Sequence, residues 1–285
     1  MALLQIALVS QTSQLSVGKL ALAGAAIQKQ VSRDFGPIWE IQATVDTFEK
    51  LVDVPIGYWS VVVRDDIGFD AAGIHLNKSN GQPFALVEFS SNWALTISHE
   101  TLEMLADPYG DKITAADSVK PGQGRVEYLV EVCDPSEGAK FGYTVNGVLL
   151  SDFYTPRFFD PVPAAGVRYS FTGALKRPLQ VLDGGYLSWR DPVSTHVFQL
   201  FVTGTKKKFV DRGPLPGGFR LREFVDRKTA EFRSQSMREM EAPNAGLLTA
   251  AVAAPETTIA ATPLDDAVRA NAESLQAQID ALVAN

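Results

Sequence analysis

Three residues whose side chains could perform chemistry lie within one short segment: His99, Glu100 and Glu103. On a helix, residues four apart share a face and lie about 6 Å apart along the axis, so His99 and Glu103 could hold a metal ion between them. Glu100 is rotated by about 100° around the same helix, too far to share that ion but close enough to reach a water molecule on it. The spacing therefore predicts a metal site with an adjacent carboxylate base.

A helix must position these side chains, and the flanking residues predict one over 93–106. Ser91 or Asn92 can cap its start, and Pro108 disfavours helical geometry at the residue before it. Apolar residues cover most of the helix circumference, which indicates a buried helix. A solvated helix face is the alternative interpretation, but a buried carboxylate needs a partner such as a cation, and this favours the metal site.

A third ligand is expected among Asp107, Glu131 and Asp134. Asp107 lies about 12 Å from His99 along an ideal helix, so it could share the ion, or support a ligand, only if the last turn unwinds. Its alternative role is a hydrogen bond to the turn that follows it. A strand is predicted over 126–134, on which Glu131 and Asp134 point to opposite sides. Asp134, at the end of that strand, is the preferred ligand and Glu131 is the second choice.

The motif Ser-His-Glu-x-x-Glu-x-x-x-Asp-Pro at 98–108, followed by Glu-Val-x-Asp at 131–134, carries a family resemblance. A strand–helix–strand layout with an edge hairpin before a His-Glu helix looks like the zincin metallopeptidase superfamily. In its His-Glu-x-x-His motif, Glu103 would replace the second histidine. The closer resemblance is to uncharacterised bacterial metallopeptidase-like proteins with the longer motif, and it covers about residues 1–200.

The resemblance implies a metallopeptidase in which His99 and Glu103 bind Zn²⁺, or another divalent metal, and Glu100 is the general base. A peptide or protein substrate would lie extended against the strand predicted at 73–76, paired through its backbone. Tyr154 lies in an aromatic segment that is similar in those bacterial proteins. It is a candidate donor to the oxyanion, with a place in the core or the wall as the alternative. The alternative function is a non-catalytic binding or structural protein on a zincin-like scaffold.

Other chemically active residues give weaker signals. His75 lies on the predicted hairpin and is interpreted as an ordinary strand histidine, because no spacing ties it to His99. His196 is interpreted in the same way. Cys133 lies in an apolar strand next to Asp134, and we expect it to be an inert small residue.

The order of elements before the candidate helix predicts an α/β fold, and the resemblance implies that it is of the α+β zincin-like kind. Strands are expected at 5–10, 40–45 and 58–64, and a helix at 17–35. The segments 73–76 and 83–89 are predicted to form a hairpin, since Asn80-Gly81 between them is a strong turn signal. This order indicates a mixed sheet with an edge hairpin that precedes the metal-binding helix.

Four segments are predicted along the chain: a zincin-like catalytic domain at 1–204, a basic extension at 205–241, an Ala/Thr/Pro-rich linker at 242–262 and an amphipathic C-terminal helix at 263–285. Charge sets the extension apart, since 206–238 contains 10 Lys and Arg against 4 Asp and Glu in a chain of net charge −7. Acidic residues interrupt it, which favours a solvated helix over a nucleic-acid site. The terminal helical tail could dock on its own domain, self-associate or bind a partner.

The N-terminal apolar run has no basic residue before it, which predicts a first strand rather than a signal peptide. No uninterrupted apolar stretch reaches the length of about 18 residues that a membrane span needs, so we expect no membrane span. Cys133 is the single cysteine, so no intramolecular disulfide can form, and a reducing, cytoplasmic location is expected. Export without a signal peptide is the alternative.

Overall fold

The computed structural model describes residues 3–78 and 81–229, which form a mixed α/β fold. The helices are α1 (Val17–Lys29), α2 (Gly36–Trp39), α3 (Trp93–Ala106) and α4 (Leu221–Thr229). The strands are β1 (Leu4–Ser10), β2 (Ala43–Phe48), β3 (Trp59–Arg64), β4 (Gly73–Asn77), β5 (Pro83–Glu88), β6 (Ile113–Asp117), β7 (Arg125–Leu129), β8 (Tyr143–Val145), β9 (Val148–Leu150), β10 (Tyr186–Arg190), β11 (His196–Thr203) and β12 (Lys206–Pro214). No helix within these two ranges has the length and apolar composition that crossing a membrane requires.

The first sheet confirms the predicted mixed sheet with an edge hairpin. Its strand order is β2-β1-β3-β5-β4. β1 is parallel to β2 and β3, β3 is parallel to β5, and β4 is antiparallel to β5 at the edge. Both faces of the sheet are covered, with Val61 and Val62 of β3 buried in different apolar clusters, which explains the uninterrupted valines in the middle of β3. The hairpin leads directly into α3, which packs against both of its strands.

Helix α3 has the predicted bounds, and the prediction that it is buried is confirmed. Every residue from Thr96 to Ala106 is buried. Leu102 belongs to the same hydrophobic core as Val63 of the first sheet and Trp189 of the second, so α3 is fixed by packing on both. Asn92 occupies the N-cap position without a side-chain capping bond, so tertiary packing stabilises the start of this helix without that bond.

The strand predicted over 126–134 is shorter in the structure, since β7 ends at Leu129. The amide of Glu131 donates to the Leu129 carbonyl oxygen (3.2 Å), and this tight turn takes the chain out of the sheet. The amide of Cys133 then donates to Glu103 Oε1 (3.1 Å) on α3 instead of to a neighbouring strand. The expectation that Glu131 and Asp134 point to opposite sides applied to a regular strand. Because the alternation of side chains ends here, Glu131 approaches Glu103 and Asp134 approaches His99, both on α3.

The second sheet is antiparallel, with strand order β12-β11-β10-β7-β6, and the sequence did not predict it as a separate sheet. β12 pairs with β11 along its length, so the boundary predicted after residue 204 falls between two paired strands. Helix α4 also belongs to this fold, since Leu221 and Phe224 pack against Leu129 and Val197. The predicted basic extension is thus part of the folded unit as far as residue 229. The remainder of that extension, the linker predicted at 242–262 and the helix predicted at 263–285 lie outside the described residues.

Gly110 allows α4 to dock beside the end of α3. It has a positive φ of 66°, and its carbonyl oxygen accepts a hydrogen bond from the Arg222 amide (3.1 Å). A Cβ atom at Gly110 would lie 2.6 Å from the Cβ of Arg222, which is closer than two carbon atoms can approach. The absence of a side chain at this position therefore fixes where Arg222 enters the protein.

We expect Gly110→Ala to destabilise the protein more than Gly124→Ala. Gly124 also has a positive φ (78°), but no atom lies within 4 Å of its would-be Cβ. Its substitution should therefore cost only the free energy of holding alanine at a positive φ. The clash with Arg222 should add about 1–3 kcal/mol to the loss of unfolding free energy at Gly110. Urea unfolding of both variants measures this difference, and equal losses would contradict the proposed role of Gly110.

Candidate metal centre

The structure places Glu103 and Asp134 each beside His99 in a largely buried cluster. One turn of α3 separates His99 from Glu103, and their Nε2 and Oε2 atoms are 3.2 Å apart. Asp134 begins the short 3-10 turn Asp134–Ser136, and its Oδ1 atom is 3.3 Å from His99 Nε2. The helix spacing predicted that His99 and Glu103 are neighbours. Asp134 also lies beside His99, although β7 ends at Leu129 and not at Asp134 as the prediction assumed.

The distances from His99 to Glu103 and to Asp134 suit a divalent metal ion. Ligand atoms around a tetrahedral zinc ion lie about 3.3 Å apart, because each is about 2.0–2.1 Å from the metal. The two separations from His99, 3.2 and 3.3 Å, match that spacing. Glu103 and Asp134 belong to different sets of ligand atoms that all lie within 4.8 Å of one another, so an ion bound by all three residues would draw these two carboxylates together. Glu103 Oε2 and Asp134 Oδ1 are buried, and no described residue gives either of them a well-formed hydrogen bond. Orphaned buried oxygens of this kind are what a bound cation would satisfy.

Backbone contacts hold Glu103 in position. Its Oε1 atom accepts the Cys133 amide, which leaves Oε2 directed at His99. The thiol of Cys133 also lies next to α3, with Sγ 3.8 Å from the His99 carbonyl oxygen. Burial raises the pKa of this thiol well above its usual value, so the thiolate that a metal would need is disfavoured. Asp134 offers instead a buried carboxylate oxygen that lacks a hydrogen bond from the described residues.

Glu100 lies on the adjacent face of α3 beside an unexpected neighbour, His75. The Oε2 atom of Glu100 is 3.5 Å from His75 Nδ1, and Glu103 Oε2 is 3.9 Å from the same nitrogen. Gly73 precedes His75 by two residues on β4, and its would-be Cβ would lie 2.5 Å from Glu100 Oε1. Alternation places both residues on the side of β4 that faces α3. The period-two pair Gly73-x-His75 on an edge strand was therefore a signal that could have identified His75.

Arg222 is the second residue that the sequence did not connect with the site. It is buried, and its Nη1 atom donates to Glu131 and lies 3.1 Å from His75 Nε2 and 3.6 Å from Glu103 Oε2. Its Nε atom donates to Asp226 (3.0 Å) one turn further along α4. The charge pattern of the basic extension predicted a solvated helix around Arg222. The site residues that Arg222 contacts precede it by 91 or more positions, so no sequence spacing relates it to them.

The remaining predicted site residues have other surroundings. Asp107 directly follows α3, and its carboxylate accepts hydrogen bonds from the amides of Asp111 (3.2 Å) and Lys112 (3.1 Å). These bonds match the alternative role expected for Asp107, a hydrogen bond to the turn that follows it. Glu131 forms the ion pair with Arg222. Tyr154 is completely buried, with its ring stacked on Phe158 at 4.3 Å between centroids, and it does not line the cavity described below.

A cavity of about 400 Å³ gives access to this cluster. Its wall includes Gly73, His99, Glu100, Glu137, Tyr186 and Arg222. Glu137 was not predicted, although it follows Asp134 by only three residues. One carboxylate oxygen of Glu137 lies within 4.8 Å of ligand atoms of His99 and Asp134. The cavity therefore opens onto the predicted base and onto one edge of the three-residue group.

Negative charge exceeds positive charge in this cluster. Burial alone would lower the pKa of His99, but Glu103 and Asp134 raise it well above its usual value. Burial alone would raise the pKa of Glu103, but His99 and Arg222 hold it well below its usual value. For Glu131 and Asp134, burial prevails and raises the pKa of each carboxyl well above its usual value. His99 and Arg222 thus keep Glu103 ionised, but they do not offset the cost of burying the charged forms of Glu131 and Asp134.

The chemistry inferred for this cluster comes from its own geometry. Comparisons of the chain with family profiles, curated proteins and solved structures found no match. The distances, the burial and the orphaned oxygens are therefore the observations that any functional proposal must explain.

We expect the metal-free protein to lose stability as the pH rises from about 4.5 to about 7, and Glu137→Gln to reduce that loss. Burial, with the nearby Glu103 and Glu100, raises the pKa of Glu137 from its ordinary 4.5 to about 7. The folded state therefore holds a proton that the unfolded state releases. This contribution is fully present below the unfolded pKa and is lost as the pH rises through the folded pKa.

Urea unfolding of chelator-treated protein across this pH range measures the effect. The difference between wild type and Glu137→Gln should change by about 1–3 kcal/mol over the window. Glu49→Gln is the matched control, because Glu49 is exposed and follows β2 at the opposite edge of the first sheet. Parallel curves for wild type and Glu137→Gln would show that Glu137 does not hold this proton.

Proposed function

We propose that the protein is a metal-dependent hydrolase whose divalent ion, Zn²⁺ or a chemically similar metal, is held by His99, Glu103 and Asp134. The observation that carries the proposal is that carboxylate oxygens of Glu103 and Asp134 lie 3.2 and 3.3 Å from His99 Nε2. The two orphaned carboxylate oxygens support it further. One histidine and two carboxylates form a donor set that zinc accepts, although a harder metal would also suit it.

The side chains around this group suit hydrolysis. When bound, a zinc ion supplies a Lewis acid that acidifies water and polarises a carbonyl group. Glu100 would accept the proton from the attacking water, since it lines the cavity and its buried Oε2 lacks a hydrogen bond from the described residues. His75 would orient Glu100 from behind, at 3.5 Å. Tyr154 has no part in this proposal because its hydroxyl does not line the cavity.

A peptide is the substrate class that we propose, within a zincin-like arrangement. The mixed sheet, the edge hairpin and the buried His-Glu helix have the layout on which that resemblance rests. Gly73 and Ile74 of β4 line the cavity, and among the described strands β4 pairs only with β5. An extended peptide could therefore pair with the outer edge of β4 and pass in front of Glu100.

A second candidate function is a non-catalytic binding or structural protein on the same scaffold. The observation that favours it is Arg222, whose guanidinium already contacts Glu103 and Glu131 and supplies positive charge without a metal. Under this alternative, the cluster would stabilise the fold as a buried ion network, and Glu100 would have no chemical role. Metal content and the effect of a Glu100 substitution separate the two functions.

The proposed location is the cytoplasm. It is supported by Cys133, a buried free thiol, since reducing compartments maintain unpaired cysteines.

We expect Glu100→Gln to keep the bound metal but to lower kcat for peptide hydrolysis by about 10²–10⁴-fold, because the amide cannot accept the proton. Elemental analysis gives the metal content, and mass spectrometry of a peptide library gives the activity. Glu49→Gln, at the far edge of the first sheet, serves as the matched control and should leave both unchanged. A protein that holds no metal, and whose activities are all unaffected by Glu100→Gln, would rule out the hydrolase.

A further inference from the structure

A second set of potential metal ligands lies beside the first. His75, Glu103 and Glu131 each offer one ligand atom, all three lie within 4.8 Å of one another, and all three side chains are buried. Glu103 is common to both sets, since it also lies 3.2 Å from His99. A carboxylate shared between neighbouring cations, about 3.5–4 Å apart, is the usual arrangement in two-metal hydrolytic sites.

The guanidinium of Arg222 lies among these second ligands. It donates to Glu131 and lies 3.1 Å from His75 Nε2 and 3.6 Å from Glu103 Oε2, so it contacts every member of the set. Its contacts nevertheless leave His75 Nδ1 and Glu131 Oε1 buried without a hydrogen bond from the described residues. The guanidinium therefore supplies the positive charge of a cation but does not contact every ligand atom of this set through a hydrogen bond.

We propose that His75, Glu103 and Glu131 form a second cation position and that Arg222 fills it. The inference rests on the proposed function, because Glu103 would join the ion at His99 to the guanidinium. Arg222 would then act as a built-in second cation that limits the protein to one metal ion per chain. It would stabilise the charge on Glu103 and, from the cavity wall, negative charge that develops on a substrate.

The docking of α4 supports a fixed position for this cation. The carbonyl oxygen of Gly110 accepts a hydrogen bond from the Arg222 amide, and the missing side chain of Gly110 leaves room for the Arg222 Cβ atom. On either side of Arg222, Leu221 and Phe224 anchor α4 in an apolar cluster. Asp226 binds the Nε atom at 3.0 Å, which restricts rotation of the guanidinium. Arg222 is thus held by its backbone, its neighbours and its own side chain, as a resident cation must be.

The test is the number of zinc ions per chain, measured by elemental analysis after equilibration with Zn²⁺ and removal of the excess. Wild type should hold one ion and Arg222→Met should hold two, because methionine leaves the three ligands without their cation. Arg222→Met combined with Glu131→Gln should return to one ion. Arg220→Met is the matched control and should hold one, since exposed Arg220 bonds only to Asn77 and the Tyr109 carbonyl oxygen among the described residues.

Each other outcome has a distinct meaning. One ion in both wild type and Arg222→Met would overturn this inference and leave the proposed function standing. No ion in wild type would overturn the proposed function itself. Arg222→Met could also unfold without metal, in which case added Zn²⁺ should restore folding, since an ion in the second position replaces the lost charge. A variant that stays unfolded at every zinc concentration would count against the second position.

Discussion

Glu103 has no exposed surface, and its carboxylate must be surrounded by positive charge if it is to stay ionised in the core of the protein. The fold meets this requirement from several directions. His99 approaches from the preceding turn of α3, His75 from the edge strand β4, and Arg222 from α4. The segment after β7 contributes the Cys133 amide. The meeting of these four elements at one carboxylate determines how the hairpin, the second sheet and α4 are arranged around α3.

The same arrangement explains why a metal ion suits the site. The basic side chains of the cluster surround Glu103. Burial raises the pKa of Asp134 and of Glu131, which disfavours their ionised forms. A divalent ion between His99, Glu103 and Asp134 would offset that effect and satisfy the orphaned oxygens. Glu100, which faces the cavity one residue from His99, would then be a carboxylate in contact with both the buried cluster and an incoming substrate.

Local signals in the sequence predicted the parts of the site that local structure determines. Pro108 and the Asn-Gly turn gave the bounds of α3 and the hairpin before it, and helical spacing placed Glu103 beside His99. The predicted regular strand failed at Glu131, because a turn and the bond from Cys133 to Glu103 break the alternation there. His75 and Arg222 enter only when distant segments pack together, and Arg222 depends on the space left by Gly110. The contact of Arg222 with residues that precede it by 91 or more positions leaves no periodicity that a sequence pattern can show.

The proposed site places one ion between three named atoms. Anomalous diffraction at the zinc edge from crystals grown with Zn²⁺ would locate that ion. We expect one strong peak about 2.0–2.2 Å from His99 Nε2, Glu103 Oε2 and Asp134 Oδ1. The absence of a peak at this point, or a peak bound to other residues, would contradict it.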